Sequence, residues 1–167
     1  DQFDYNEDMH FALLDDADGV SLERISSTQP TNDGSNWHSA SSAVNYATPG
    51  YENSQNNEAF SAETQITLSS EFVSPDNDGY QDIVGILYNL TDPGFSISVK
   101  VFNDKGFEVK TVASNLLIGA SGTINWDGTN DLGEKATIGI PIVHVSLFDL
   151  KGNREDYRLP VVVSGKL

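Results

Sequence analysis

From Ile66 onward, apolar residues recur at every second position, the period of a strand with one buried face. Ile66 and Leu68 open the pattern and lead into Glu71-Phe72-Val73. Ile86, Tyr88 and Leu90 continue it and stop at the turn signal Thr91-Asp92-Pro93-Gly94. Phe95, Ile97, Val99 and Val101 then alternate with Ser96, Ser98, Lys100 and Phe102, the most regular strand in the chain. Further strands are predicted over 107–112, 121–126, 140–148 and 154–163, with Leu116-Leu117-Ile118-Gly119 as a connection. Pro141 has no N–H to give to a ladder, so its strand should start at an edge or a bulge. Phe102-Asn103-Asp104-Lys105-Gly106 and Phe148-Asp149-Leu150-Lys151-Gly152 repeat one hairpin plan. No stretch carries a helical period. About seven short strands separated by frequent turn signals predict an all-β fold, a β-sandwich.

The chain before this region is different. His10-Phe11-Ala12-Leu13-Leu14 is a short apolar run, followed by the acidic turn Asp15-Asp16-Ala17-Asp18-Gly19 and a strand over 20–25 whose buried face the pattern leaves open. This arrangement reads as a hairpin. Residues 26–58 are rich in Ser, Thr, Asn, Gly and Pro, the composition of loop. Trp37, Tyr46 and Tyr51 interrupt it, and large aromatics in a polar loop serve to pin it to a neighbouring core. The prediction is a loop-rich β appendage over 1–57 and a sandwich domain over 58–167. Residues 52–64 are the linker and Asn57 marks the boundary.

Composition narrows the function. The 167 residues carry 25 acids against 9 Lys and Arg, a net charge of −16. Phosphate recognition needs a basic footprint, so a nucleic-acid ligand is disfavoured, as is docking on anionic lipid. There is no cysteine, which removes disulfides and thiolate metal sites. No run reaches the length of a membrane span. The start at Asp1 without a methionine is what a processed or excised piece of a larger protein shows.

The densest chemistry lies in Ser74-Pro75-Asp76-Asn77-Asp78-Gly79-Tyr80-Gln81-Asp82. Hard cations take oxygen ligands on tightly turned loops. Aligned on Gly79, the loop sets Asp76 and Asp78 at the third and fifth ligand positions of an EF-hand and Asp82 at the ninth. Ser74 and Gly85 fall where such a loop has acids, so the register is EF-like and incomplete. Asp76, Asp78, Asp82 and the Tyr80 carbonyl are the predicted ligands, and Ca2+ the predicted ion. The competing reading is an acidic turn whose side chains bond the local backbone. Asp16 and Asp18 ahead of Gly19 form a second, weaker candidate. Trp126-Asp127-Gly128 reads as a core tryptophan followed by a turn-capping acid. His10, His38 and His144 stand apart from one another without zinc spacing, and no nucleophile elbow, dinucleotide fingerprint or phosphate loop occurs. No catalytic constellation is predicted, and the chain is read as no enzyme.

Two resemblances add to this. Gly19-Val20-Ser21-Leu22-Glu23-Arg24, Pro30-Thr31-Asn32-Asp33, Asn36-Trp37, Ala47-Thr48-Pro49-Gly50 and Asn53-Ser54 together resemble the C-terminal half of a bacterial lamin-tail domain, over residues 9–55. Residues 66–165 resemble the immunoglobulin-like domain of flagellar hook-capping proteins. They do so through Ser96 to Val109, Ile124-Asn125-Trp126-Asp127-Gly128-Thr129-Asn130-Asp131-Leu132-Gly133 and Gly139-Ile140-Pro141-Ile142-Val143. They are also similar to C-terminal modules of secreted proteins of gliding bacteria that use the type IX route, where a Ser-Pro-Asn-Gly-Asp-Gly loop precedes the first core strand. Both resemblances imply an immunoglobulin-like sandwich. They imply a non-catalytic extracellular or cell-surface module for spacing, adhesion or presentation, whose partners are other domains of a larger parent or a surface component. The alternative they imply is a secretion or assembly module that pairs an edge strand with a partner.

Overall fold

The computed structural model describes residues 3–56, 63–149 and 151–165. Among them, eleven strands follow in chain order: β1 Leu22–Arg24, β2 Trp37–Ser39, β3 Gln65–Leu68, β4 Phe72–Val73, β5 Val84–Asn89, β6 Ser96–Phe102, β7 Glu108–Leu117, β8 Ser121–Trp126, β9 Ile142–Phe148, β10 Arg154–Pro160 and β11 Val162–Val163. Helical structure among the described residues is limited to three single 3-10 turns at Glu7–Met9, Gly34–Asn36 and Ser42–Val44. The fold is all-β, an immunoglobulin-like β-sandwich. Its two antiparallel sheets run β10-β9-β6-β7 and β3-β5-β8, which is the predicted seven strands.

The alternation seen in the sequence is the packing. Ile97, Val99 and Val101 of β6 and Val143, Val145 and Leu147 of β9 are fully buried. They meet Ile66, Val84, Ile86 and Tyr88 of the opposite sheet, with Trp126 closing one end. Apolar burial at about 25 cal/mol per Å2 makes this shared face the main source of stability.

Four expectations are corrected. The hairpin between 10–14 and 20–25 does not form. Instead β1 pairs with β2, Leu22 opposite Ser39 and Arg24 opposite Trp37. Phe11 is buried on its own account at 3% exposure. The 107–112 strand runs on through Leu117, because register shifts along its ladder with β6 and a left-handed Asn115 absorb the break in alternation that made 116–119 read as a connection. The closing strand divides at Pro160. β10 ends on that residue opposite Ile142, and β11 then leaves the sheet to pair in parallel with β4, Val162 beside Phe72 and Val163 beside Val73. Finally, residues 52–56 are not linker. Gln55 is fully buried, and the Asn57 boundary lies outside the described residues.

The registers separate two ends. Val84 lies opposite Trp126 and Phe102 opposite Ile142, so the 74–83 loop, the 103–107 turn and the 127–141 connection leave from one end. The 90–95 and 117–120 connections form the other, tied together by Leu90 N to Ala120 O at 2.8 Å and Ile118 N to Phe95 O at 3.0 Å. The N-terminal segment docks on this second end. Ser42 Oγ donates to Leu117 O at 2.6 Å, Ser41 Oγ to the same carbonyl at 3.2 Å, and Gln55 Nε2 to Ile118 O at 3.4 Å. Ala120 N donates to Ser54 O at 3.2 Å.

Candidate metal centre

Pro75 sets the chain turning directly after β4, and three left-handed residues, Asn77, Gly79 and Gln81, fold it back within the next seven positions. Ser74 N donates to Gln81 O at 2.7 Å and closes the base of the loop. Inside it, each acid holds backbone. Asp76 Oδ1 accepts from Asp78 N at 3.3 Å, and Asp78 Oδ1 from Tyr80 N at 2.9 Å. Asp82 spans the turn, with Oδ1 accepting from Asn77 N and Oδ2 from Gly79 N, both at 2.7 Å. These bonds are the acidic-turn reading, realised.

They also bring the predicted ligands together. One carboxylate oxygen from each of Asp76, Asp78 and Asp82 lies within 4.8 Å of the others. A calcium ion holds its oxygens at roughly 2.3–2.6 Å, so oxygens on either side of it stand about 5 Å apart. An ionised carboxylate oxygen that accepts one N–H keeps a second lone pair for a cation. The donor set therefore fits a hard divalent ion. The fourth predicted ligand, Tyr80, belongs to the same turn, and its side chain projects into solvent at 71% exposure.

The remaining candidates resolve into structure. Asp16 Oδ1 accepts from Asp18 N at 2.9 Å, an ordinary side-chain turn. Trp126 is 1% exposed and donates from Nε1 to Thr129 O at 2.9 Å. Asp127 Oδ1 accepts from Thr129 N and Oγ1 at 3.0 and 2.7 Å, and these bonds hold its carboxyl below the usual range. His144 Nε2 sits 3.0 Å from Asp156 on the outer face of the four-stranded sheet. His10 Nδ1 lies 2.9 Å from Ser39 Oγ. That hydroxyl already accepts from Phe11 N at 3.0 Å and is fully buried, so the pair is a core contact and not a nucleophile with its base.

Of the aromatics in the polar loop, Trp37 ties together parts of the N-terminal segment itself. Its Nε1 donates to Thr31 O at 2.9 Å and its ring packs on Phe3 at 4.3 Å between centroids. Tyr51 is 84% exposed and pins nothing. Sequence reasoning missed Glu23. It is 3% exposed, and its carboxylate accepts from Thr48 Oγ1, from Ser54 Oγ at 2.7 Å and from Gln55 N at 3.2 Å. The alternation of β1 left its buried face open, and the charged residue occupies it because three donors converge there. Gln55 Nε2 also reaches Ser39 O at 3.1 Å, so Glu23 and Gln55 tie the 48–55 strap to both short strands.

No protein-family model matches the chain, and no curated protein does. Among solved structures, it is similar over 62% of its length to dimeric latent PorU from Porphyromonas gingivalis, at 16% identity and a TM-score of 0.47. Over 58% it is similar to PorZ, a surface component of the type-IX secretion system of the same organism, at 17% identity and a TM-score of 0.37. The chain spans 9% of that PorU chain and 11% of that PorZ chain. It is also similar to CopC from Methylosinus trichosporium OB3b, covering 97% of that chain at 11% identity and a TM-score of 0.41.

Proposed function

We propose that the chain is a non-catalytic extracellular module of a larger protein, spacing or presenting its neighbours at the cell surface, with calcium stiffening its acidic loop. The observation that supports this best is the division between the two ends of the sandwich. One end is occupied by the N-terminal segment, latched through Leu117, Ile118 and Ala120. The other carries the Asp76-Asp78-Asp82 cluster directly ahead of β5, the central strand of its sheet. An ion there joins the two sides of the loop that feeds that strand and stabilises the folded state by mass action. Three carboxylates so close repel one another until neutralised.

Thermal melting of the full chain in EDTA and in millimolar calcium tests the ion. The melting temperature rises with calcium in the wild type and not in the Asp76→Asn/Asp78→Asn double variant. An unchanged wild-type melting temperature defeats the calcium assignment and leaves the acidic-turn reading.

A second reading, assembly or secretion through edge-strand pairing, draws on a contrast between edges. β10 is guarded by Arg154, Glu155, Asp156, Arg158 and Pro160, whereas β3 and β8 carry no charged residue. Thr123→Lys on β8 reduces export or partner capture under this reading and leaves both unchanged under the first.

A further inference from the structure

His38 lies at the join between the N-terminal segment and the sandwich, 8% exposed. Its Nδ1 is 3.1 Å from Ser39 O, which makes Nδ1 the protonated nitrogen of a neutral ring. Nε2 is then a lone-pair acceptor, and it is buried with no hydrogen-bond partner. It points at the 92–95 turn, where a β-carbon on Gly94 would lie 3.0 Å from it. Gln55 Oε1, on the side chain that also holds Ser39 O and Ile118 O, is buried without a partner as well. The seam between segment and sandwich therefore contains an imidazole whose one titratable atom faces the packed backbone at Gly94 with no hydrogen-bond partner.

The charged and titratable groups around the ring come from three elements. Glu23 on β1 attracts a proton to His38, and His10 after the first 3-10 turn repels one. Asp92, in the turn that Nε2 faces, spends Oδ2 on Thr91 Oγ1 at 2.9 Å. The Phe11 ring at 5.7 Å covers another side and offers no donor or acceptor. Desolvation outweighs the pull of Glu23, so burial holds the folded imidazole below its ordinary range.

We propose that His38 makes the docking of the N-terminal segment acid-sensitive, so that acidification lifts the segment from the 92–95 and 117–120 connections and uncovers that end of the sandwich. The sign follows from linkage. A base whose folded pKa is depressed contributes stability that is complete above its unfolded value of about 6.5 and is lost as the pH falls below it. Between the two pKa values the docked population falls by about tenfold for each pH unit relative to the undocked. The junction is the element biased, because Nε2 faces the sandwich and the rest of the ring is held by the segment's own strand.

The test is hydrogen–deuterium exchange on the full chain at pH 7.5 and 5.5, corrected for intrinsic rates and read at residues 38–41, 54–56, 92–95 and 117–120. The wild type loses protection there on acidification, by up to about tenfold for the one pH unit below 6.5, while the β6–β9 ladder keeps its own. His38→Gln and His38→Phe, which have no proton to take, keep the same protection at both pH values. Equal loss in wild type and variants, or no loss in the wild type, overturns the proposal. If neither variant folds, an NMR titration of the wild-type ring decides. A folded His38 that titrates below 6.5 with a concurrent shift of the Gly94 amide supports it, and titration at or above 6.5 overturns it.

Discussion

The carbonyl oxygen of Ser54 lies 2.5 Å from the point where a β-carbon on Gly119 would stand. The two segments touch backbone to backbone, and the next amide, Ala120 N, donates to that same carbonyl at 3.2 Å. Here the connection after β7 is fixed by a segment more than 60 positions earlier. A glycine is required because no flexible side chain can give way. Gly119→Ala should push the strap off the sandwich and cost about 1–3 kcal/mol, the usual penalty for overpacking. The expected readout is a lower melting temperature together with lost exchange protection at 54–56 and intact protection in β6 and β9. A variant as protected as the wild type would show that the strap yields without loss.

A second glycine works inside the core. Gly122 on β8 stands directly opposite Tyr88 on β5, and a β-carbon there would overlap the Tyr88 hydroxyl and ring. Tyr88 is 2% exposed, so the ring has nowhere to move. Gly122→Ala should destabilise by a few kcal/mol, about what core overpacking costs. Gly122→Ala with Tyr88→Leu should recover part of it. Urea midpoints of these two variants and of Tyr88→Leu alone measure the coupling. Additive losses would mean that the two side chains do not share the space.

The sandwich was legible because its physics is local and periodic. Ile97, Val99 and Val101 announce a buried face two residues at a time, and Asp-Pro-Gly at 92–94 announces the turn before them. The acidic loop was legible for the same reason, since Asp76, Asp78 and Asp82 are close in sequence before they are close in space. Glu23 and His38 were not legible. Their burial is decided by Thr48, Ser54 and Gln55 in one case and by Gly94 in the other, which no spacing within a strand reports. The pairing of β11 with β4 was hidden likewise, because two residues of strand carry no period.

Asp156 gives the molecule an acid response of its own. Arg154 Nη2 at 2.7 Å and Ser146 Oγ at 2.6 Å both donate to its Oδ1. Together with nearby His144 they hold the carboxyl down to about 2. A carboxylate with a depressed folded pKa contributes stability that is present above its unfolded value, about 3.9, and is lost as the pH falls through about 2. Asp156→Asn should therefore lower the urea midpoint at pH 5, with the gap to wild type closing as the pH approaches 2. The group is at the surface and screened by solvent and salt, so the gap should be modest and shrink further in high salt. A gap constant from pH 5 to pH 2 would assign the effect to packing instead.

The turns make the last prediction. The sequence shows two copies of one hairpin plan, and the described residues show three sharing its hydrogen bonds. Asn103, Asn130 and Asp149 each donate their backbone N–H to the carbonyl four positions on, their own carbonyls accept from the glycine N–H three positions on, and each accepts on Oδ1 from the N–H groups two and four positions on. The residue three positions on is left-handed glycine every time, Gly106, Gly133 and Gly152, the conformation that a residue without a β-carbon adopts at least cost. The extra bonds on Asn153 press the Asp149 carboxyl below its usual range. An acceptor oxygen is all that the first position needs, and an amide or a carboxylate supplies it. Asn103→Asp should then be nearly neutral at pH 7, while Asn103→Ala removes both side-chain bonds and costs about 1–2 kcal/mol. Gly106→Ala should cost about 1 kcal/mol for the strained backbone angle. Thermal melts of the three variants rank them, and an Asn103→Ala as stable as Asn103→Asp would mean that the left-handed glycine alone sets the turn.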